Sequence, residues 1–387
     1  MTDTPVEYDP YSYEIDADPY PIYRRLRDAA PAYHNERLDF WALSRFDDVE
    51  QASMDYRTFT SAKGTVLELM DTKMTGEIII FMDPPAQTRL RNLVSKAFTP
   101  RRIAELEPEV RRIAVEHLEP LAAAGSGDAV KDFTTRLPMD VISALLGLPD
   151  GDRDDVREWS NATLHREPGR PEPPASALDA HARMWAYFAE QVADRRRSPR
   201  DDLISALCTT QLDDERILTF ALLLAAAGNE TVTKLLASVV YWLWRYPDQR
   251  RILIDDPSMI PAAVEEMLRF DPPSHYQGRV LTREVSMHGV TMPAGAKVAL
   301  ITGSTGRDER RFPDPDRFDV RRRFDHHLAF GHGWHICLGA SLARLESRVA
   351  LEEFLRRFPD YEVDEAGIER FHSSNVRGFS GLPISRA

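Results

Sequence analysis

The sequence predicts a mainly α-helical fold with a minor β region, formed by one large domain over residues 1–387. Apolar residues recur at helical spacing along much of the chain, and one such run extends over residues 215–246. Short strand-like segments are concentrated between residues 279 and 301 and again after residue 361. No internal repeat, low-complexity tract or clear linker divides the chain, which favours a single domain.

The individual elements follow from local patterns. A first helix is expected over residues 24–29, after a proline-containing first turn, and a short strand over residues 40–43. Further helices are expected over residues 47–54, 107–124, 176–196 and 215–246, the last ended by Pro247. The periodicity is lost over residues 61–80, which predicts a long loop, and the prolines within 168–174 predict a surface loop.

Composition and charge exclude several classes of protein. Apolar residues make up 43% of the chain and charged residues 29%, as in globular proteins with a sizeable core. The net charge of −13 argues against nucleic acid as a partner. The two cysteines, Cys208 and Cys337, provide no disulfide framework, so a reducing cytoplasm is expected. Residues 1–18 lack the apolar stretch of a signal peptide or membrane anchor, and the apolar run 220–227 is too short to span a bilayer.

The most informative segment is residues 330–339, Phe-Gly-His-Gly-Trp-His-Ile-Cys-Leu-Gly. Gly331 and Gly333 permit backbone conformations closed to other residues and let the chain pass close to a flat ring; Gly339 does the same at the start of the next helix. The N–H groups of a helix start lower a thiol pKa, and a cysteine thiolate on haem iron promotes O–O cleavage. The alternative is a buried structural cysteine in a glycine-rich turn.

The segment resembles the haem-binding signature of the cytochrome P-450 family, Phe-Gly-x-Gly-x-His-x-Cys-x-Gly, and matches each fixed position. The resemblance continues into Ala-Ser-Leu-Ala-Arg at residues 340–344 and covers nearly the whole chain. It implies the cytochrome P-450 fold and a monooxygenase that carries haem b (iron protoporphyrin IX). It also implies that Cys337 is the iron ligand and that Phe330, Gly331, His335 and Gly339 help to bind the haem.

A second signal lies in the long helix, where residues 226–231 read Ala-Ala-Gly-Asn-Glu-Thr. Taken alone it is weak, since helix interiors often hold a threonine bonded back to a carbonyl and glutamates usually lie on solvated faces. The segment resembles the oxygen-activation motif of the family. That resemblance implies that Thr231 hydrogen-bonds dioxygen, that Glu230 belongs to a proton relay, and that Ala227 leaves room above the haem.

Two further sets of charged residues match family positions. Glu266 and Arg269 resemble a structural Glu-x-x-Arg pair, which implies Arg317 as its third partner. Haem propionates need cationic or donor partners. The resemblance implies Arg91, Arg279 and His335 for this role, and Gln87 where the family often has histidine.

The substrate is the least constrained part of the prediction. The resemblance places the distal pocket at the loop 66–80 and at residues that include Leu223, Ala226, His275 and Val376, although each alone is as well explained by packing. A moderately large apolar molecule with one polar group fits. Terpenoid, polyketide, steroid, fatty acid and aromatic substrates stay open, as do hydroxylation, epoxidation, desaturation and coupling.

Electrons are expected from separate proteins, because the chain has no flavin- or nicotinamide-binding motif. A cluster of basic residues lies within the otherwise acidic sequence. It indicates either a docking patch for an acidic electron donor or a solvated helix face. The expected donor is a ferredoxin with its ferredoxin reductase, or a flavodoxin. The members of the cluster are Arg89, Arg91, Lys96, Arg101 and Arg102. Two other functions are kept as alternatives: a peroxide-driven peroxygenase, and a non-catalytic haem-binding or sensor protein.

Overall fold

The computed structural model describes residues 6–70, 78–167, 170 and 172–387. Helices dominate this part of the chain. The α-helices are α1 (Tyr13–Ala17), α2 (Tyr20–Ala29), α3 (Phe46–Met54), α4 (Ala86–Val94), α5 (Pro100–Glu105), α6 (Glu107–Ala124), α7 (Arg136–Leu146), α8 (Arg153–Leu164), α9 (Ala175–Arg197), α10 (Leu203–Cys208), α11 (Asp214–Arg245), α12 (Pro247–Asp255), α13 (Ile260–Phe270), α14 (Thr302–Thr305) and α15 (Ala340–Arg357).

The strands form small sheets at the edge of the helical part. They are β1 (Ala32–Asn35), β2 (Phe40–Leu43), β3 (Phe59–Thr60), β4 (Ser126–Asp128), β5 (Gln277–Leu281), β6 (Val285–Met287), β7 (Val290–Met292), β8 (Lys297–Leu300), β9 (Tyr361–Val363), β10 (Glu369–Phe371), β11 (Gly378–Gly381) and β12 (Pro383–Arg386). The largest sheet has the order β1-β2-β8-β5-β3, in which only β2 and β8 run parallel. The remaining sheets are β4-β12-β9 and the pairs β6–β7 and β10–β11.

The five-stranded sheet buries both of its faces. Side chains alternate along a strand, so Leu43 and Leu300 enter one apolar cluster while Ala42 and Ala299 enter another on the opposite face. A third and larger cluster surrounds α11.

The α11 helix is the centre of the helical part. It is 32 residues long, and the Asp213 side chain caps its start by accepting a hydrogen bond from the backbone N–H of Arg216. It packs against α7, α9 and α15. By length and composition α11 would also pass for a membrane-spanning helix, but 61% of its most apolar window is buried inside the protein. It is therefore described as the core helix of the fold.

Most element predictions are confirmed. The strand at 40–43 and the helix at 107–124 are observed with the predicted bounds, and the helix over 215–246 is observed at Asp214–Arg245. Residues 71–77 of the predicted loop 61–80, and residues 168, 169 and 171, lie outside the described residues. The sequence patterns did not reveal α7, α8 and α12. The last begins at Pro247 itself, because proline is favoured in a first helical turn.

The Glu-x-x-Arg pair is buried, but its third partner differs from the prediction. Arg269 Nε and Nη2 donate to the two oxygens of Glu266 at 2.7 and 2.8 Å. Arg322 Nε, not Arg317, lies 3.3 Å from Glu266 Oε1. The Arg317 side chain is 63% exposed, and this residue contributes its backbone carbonyl to Arg269 instead. The backbone here turns the Arg317 side chain outward and the Arg322 side chain inward.

Candidate active site at the cysteine loop

Backbone hydrogen bonds shape the cysteine loop, defined here as residues 328–339. Gly331 N–H donates to the Leu328 carbonyl at 2.9 Å, and Cys337 N–H donates to the Phe330 carbonyl at 2.8 Å. Gly331 and Gly333 have φ angles of 70° and 68°, in the left-handed region that favours glycine. A Cβ at Gly333 would also lie 2.9 Å from the Ser53 carbonyl oxygen of α3. The loop therefore needs glycine for its own geometry.

The Cys337 thiol lies among groups with opposing effects. Burial raises the pKa of Cys337, whereas the Gly339 backbone N–H, Arg91 and Arg344 lower it, and the net shift is upward. The residue nevertheless has accessible surface. The raised pKa and the accessible surface are consistent with a sulfur atom that protein atoms surround on most sides and leave open on one side. A thiol of this kind needs a cationic or metal partner to become a thiolate at neutral pH.

Basic side chains converge on this loop without a bound carboxylate. Arg279 is buried, and its Nη1 atom donates a hydrogen bond to the backbone carbonyl of Gly278 at 2.7 Å. Burial lowers the pKa of Arg279 to about 10, although Asp83 opposes the shift. Burial also lowers the pKa of Arg91, which Cys337 opposes. One buried and one half-buried guanidinium group in one place, with no ion pair of either among the described residues, indicate a site for an anion.

His335 lies within the same group of charges. Burial lowers its pKa to about 4, and the positive charges of Arg279 and Arg91 add to the effect. Its Nε2 atom is buried and has no hydrogen-bond partner among the described residues. The ring is therefore neutral at pH 7 and has one nitrogen free to interact with a bound group.

Gln87 holds the cysteine loop from α4. Its side chain is buried, and Nε2 donates to the Trp334 carbonyl at 2.7 Å. The amide therefore stabilises the loop through its backbone. At the other end of the loop, a Cβ built at Gly339 would have no protein atom within 4 Å. The protein's own packing thus does not require glycine there, whereas a planar group lying against the loop would.

On α11, the two predicted catalytic residues have different environments. The Thr231 hydroxyl donates to the Ala227 carbonyl at 2.8 Å, and Ala227 itself is exposed. Glu230 is fully buried, so the interpretation of a solvated glutamate is wrong. Lys234 Nζ lies 3.2 Å from Glu230 Oε2, and Asn229 Nδ2 donates to Oε1 at 3.3 Å. Sequence reasoning missed Lys234, although a Glu-to-Lys spacing of four residues signals such a pair.

The predicted substrate residues fall into two groups. Leu223 and Ala226 are half-buried on α11. His275 and Val376 are buried and line one small pocket. The His275 Nδ1 atom lies 2.9 Å from the Tyr23 hydroxyl, and burial lowers the pKa of this histidine to about 4. The ring is thus neutral and already partnered on one side.

Comparison with known proteins adds independent evidence. A model of the cytochrome P450 family matches residues 249–372. A cytochrome P450 of Mycobacterium tuberculosis is 46% identical over 388 residues, which cover 97% of this chain and 96% of the relative. The chain belongs to the cytochrome P450 family. Vitamin D(3) 25-hydroxylase of Pseudonocardia autotrophica is 36% identical over 394 residues, which cover 98% of this chain and 96% of that P450.

The fold agrees with solved P450 structures. The crystal structure of CYP109E1 from Bacillus megaterium in complex with testosterone matches with a TM-score of 0.90 at 30% identity, covering 96% of this chain and 99% of that chain. The predicted family, cytochrome P450 fold, enzyme class and haem b cofactor are thus confirmed: the protein is a haem-binding oxygenase. The described residues fit this cofactor, because an accessible thiol, unpaired buried cations and an open face at Gly339 lie in one place.

Proposed function

We propose that this cytochrome P450 inserts one oxygen atom from dioxygen into an apolar small molecule, by hydroxylation or epoxidation, with Cys337 as the haem ligand. The observation that carries the proposal is the convergence of the Cys337 thiol with Arg91, Arg279 and His335. When bound, the haem supplies the activation of dioxygen, and thiolate ligation favours O–O cleavage.

The cysteine loop and its neighbours would hold the haem. Arg91 and Arg279 would pair with its carboxylates, which removes the cost of burying these two cations, and His335 Nε2 would donate or accept a further hydrogen bond. Gly331 and Gly339 would allow a close approach to the ring. Phe330 supplies apolar contact beside the Arg344 guanidinium, 4.6 Å away. Ala227 would leave room on the opposite side, and Gln87 would keep the loop in position.

Glu230 and Thr231 would provide protons to the distal side. The Thr231 hydroxyl donates to the Ala227 carbonyl on its own helix, so a rotation about χ1 would redirect it toward a substrate or dioxygen. Glu230 is the nearest carboxylate along the helix, and a positioned acid that passes its proton through water is general acid catalysis. The adjacent Glu230 and Thr231 favour this route over the peroxygenase alternative, which needs no such proton relay.

Electrons would come from a ferredoxin and its reductase, or from a flavodoxin, in the cytoplasm. Arg89, Arg101 and Arg102 lie on α4 and α5 and supply the charge for docking an acidic donor. Arg91 is not counted as part of the docking surface, because it is half-buried beside Cys337. The side chain of Lys96 lies outside the described residues. Docking by three arginines predicts an electron-transfer rate that falls with ionic strength.

An apolar molecule of steroid size is the first substrate class to examine. One relative is named as a vitamin D(3) hydroxylase, and one matching structure contains testosterone. Leu223 and Ala226 would line the pocket over the haem, and Val376 with His275 would line its outer part, where Nε2 of His275 lacks a partner among the described residues. Binding would displace water from these apolar surfaces, which contributes about 25 cal/mol per Å² of buried area.

The proposal is tested first by the spectrum of the dithionite-reduced, carbon-monoxide-bound protein. A strongly red-shifted Soret band is expected from thiolate ligation, and it should be lost in Cys337→Ser and retained in Cys208→Ser. Turnover is then compared with NAD(P)H plus ferredoxin and reductase, and with hydrogen peroxide, using testosterone and vitamin D(3) as probes. Faster peroxide-driven turnover would favour the peroxygenase, and no turnover by either route would favour a sensor.

A further inference from the structure

Three potential metal ligands meet where α3 contacts the cysteine loop. They are Glu50 on α3, His326 just before the loop, and His332 within it. His326 Nε2 lies 2.5 Å from Glu50 Oε1, and His332 Nε2 lies 3.9 Å from the same oxygen. The three candidate ligand atoms all lie within 4.8 Å of one another. None of these residues takes part in the haem site described above.

The distances between these atoms can be compared with those that a transition metal requires. Ligand bonds of about 2.0–2.2 Å in a tetrahedral site place neighbouring ligand atoms roughly 3.3–3.6 Å apart. The observed separation of 3.9 Å between His332 Nε2 and Glu50 Oε1 differs from this by a few tenths of an ångström. The 2.5 Å between His326 Nε2 and Glu50 Oε1 is a direct hydrogen bond, which has to open by about 1 Å when both atoms bind the same ion. The two imidazole rings are stacked at an interplanar angle of 30°, with centroids 5.7 Å apart, so both histidines lie on the same side of the contact between α3 and the cysteine loop.

The three side chains are partly exposed to solvent, and their ligand atoms are of the kinds that transition metals prefer. The side chains of His326, His332 and Glu50 are 38%, 33% and 29% exposed, so water would complete the coordination. Two neutral imidazoles and one carboxylate favour Zn²⁺, Ni²⁺ or Cu²⁺ over Mg²⁺ and Ca²⁺, which prefer oxygen ligands.

We propose that Glu50, His326 and His332 bind one divalent transition-metal cation, with Zn²⁺ as the representative ion. The site links α3 to the cysteine loop at a place where these elements already touch through Gly333 and Ser53. A bound ion therefore crosslinks the loop that carries Cys337 to a rigid helix. Its binding stabilises the folded protein by an amount that rises with the logarithm of the metal concentration once that concentration exceeds the dissociation constant.

The test is calorimetric titration of ZnCl₂ into the haem-loaded protein without a histidine tag. One saturable site is expected. Glu50→Gln and His332→Asn should each raise the dissociation constant for Zn²⁺ at least about tenfold. Even the loss of a residue that only hydrogen-bonds to a metal ligand lowers metal affinity about 10–100-fold. A Zn²⁺-dependent rise in melting temperature should occur in the wild type and be lost in both variants.

A matched control lies on the same helix. Asp48 Oδ2 and His288 Nε2 form a carboxylate–histidine pair 2.7 Å apart, with a single histidine. His288→Asn should leave the Zn²⁺ dissociation constant within about twofold, which also excludes simple surface chelation. The carbon-monoxide spectrum of each variant shows whether it has folded and kept its haem. The proposal is overturned if the wild type shows no saturable binding, if His332→Asn binds as the wild type does, or if His288→Asn weakens binding equally.

Discussion

The Lys234 ammonium lies 3.2 Å from the Glu230 carboxylate, one turn further along α11, and both side chains are buried. Lys234 also lies 4.1 Å above the centre of the Phe371 ring, so its position is fixed from two sides. A buried carboxylate is costly without a partner. Lys234 therefore offsets the charge of Glu230 and sets the direction in which this carboxylate points.

Removing Lys234 should affect stability and activity differently. Lys234→Met leaves a buried carboxylate unpaired and is expected to destabilise the protein by about 3–5 kcal/mol. Glu230→Gln combined with Lys234→Met removes both charges and should regain most of that stability, while dioxygen-driven turnover stays reduced by about 100-fold or more. Urea unfolding and ferredoxin-dependent turnover measure the two effects. A double variant with normal turnover would exclude Glu230 from proton delivery.

Removing the Arg279 side chain should stabilise the haem-free protein and weaken haem binding in the haem-loaded protein. Arg279→Met eliminates a buried, unpaired cation and is expected to stabilise the haem-free form. The haem-loaded form loses a charge-assisted hydrogen bond worth about 1.5–3 kcal/mol, so haem loss to an excess of apo-globin should accelerate roughly 10- to 150-fold. Arg283→Met is the control, since that side chain is 73% exposed. Equal haem-loss rates in the two variants would contradict a propionate role.

Arg322 and Arg317 should differ in their contribution to stability. Arg322→Met removes a cation from the buried Glu266 carboxylate and also hydrogen bonds to the Asp314 and Arg317 carbonyls, both at 2.9 Å. We expect a loss of about 2–3 kcal/mol. Arg317→Met should change the free energy of unfolding by less than about 0.5 kcal/mol, because its side chain is exposed. Melting curves of the two haem-loaded variants provide the comparison, and the reverse ranking would restore Arg317 as the partner.

The buried Asp271 should make stability depend on pH in the acid range. Burial alone would raise the pKa of Asp271, but Arg377, 2.7 Å away, and a hydrogen bond from Tyr20 outweigh it and bring the pKa to about 2. Because the folded pKa lies below the ordinary value of 3.8, the unfolded chain binds the proton first. The contribution, about 2 kcal/mol, is present above pH 4 and is lost as the pH falls toward 2.

Asp271→Asn isolates this contribution. The variant should be less stable at neutral pH, because Arg377 stays buried without its anion. Between pH 5 and pH 3 its free energy of unfolding should fall less steeply than that of the wild type. Urea titrations at several pH values measure the two slopes, and equal slopes would show that folding does not lower the pKa of Asp271.

The parts of the molecule with local sequence signals were predictable. The α11 helix and the cysteine loop depend on patterns within tens of residues, and both were located from the sequence. Partners that are distant in the chain were not. The Tyr23 hydroxyl that lies 2.9 Å from His275 Nδ1 belongs to a residue 252 positions away, and no local pattern in the sequence indicates this contact. Likewise, Arg317 and Arg322 are the same residue type in one short segment, and only the turn of the backbone decides which reaches Glu266.

Gly333 and Gly339 of the cysteine loop are required for different physical reasons, and the difference concerns how the haem-loaded enzyme forms. Gly333 is required by contact with the Ser53 carbonyl, which exists in the polypeptide alone, whereas the space at Gly339 has no protein atom to fill it. The backbone at residue 333 therefore depends on contacts within the polypeptide, whereas glycine at residue 339 matters only once the cofactor is bound. We accordingly expect that a larger residue at position 333 impairs folding of the protein even without haem, and that a larger residue at position 339 impairs only haem uptake.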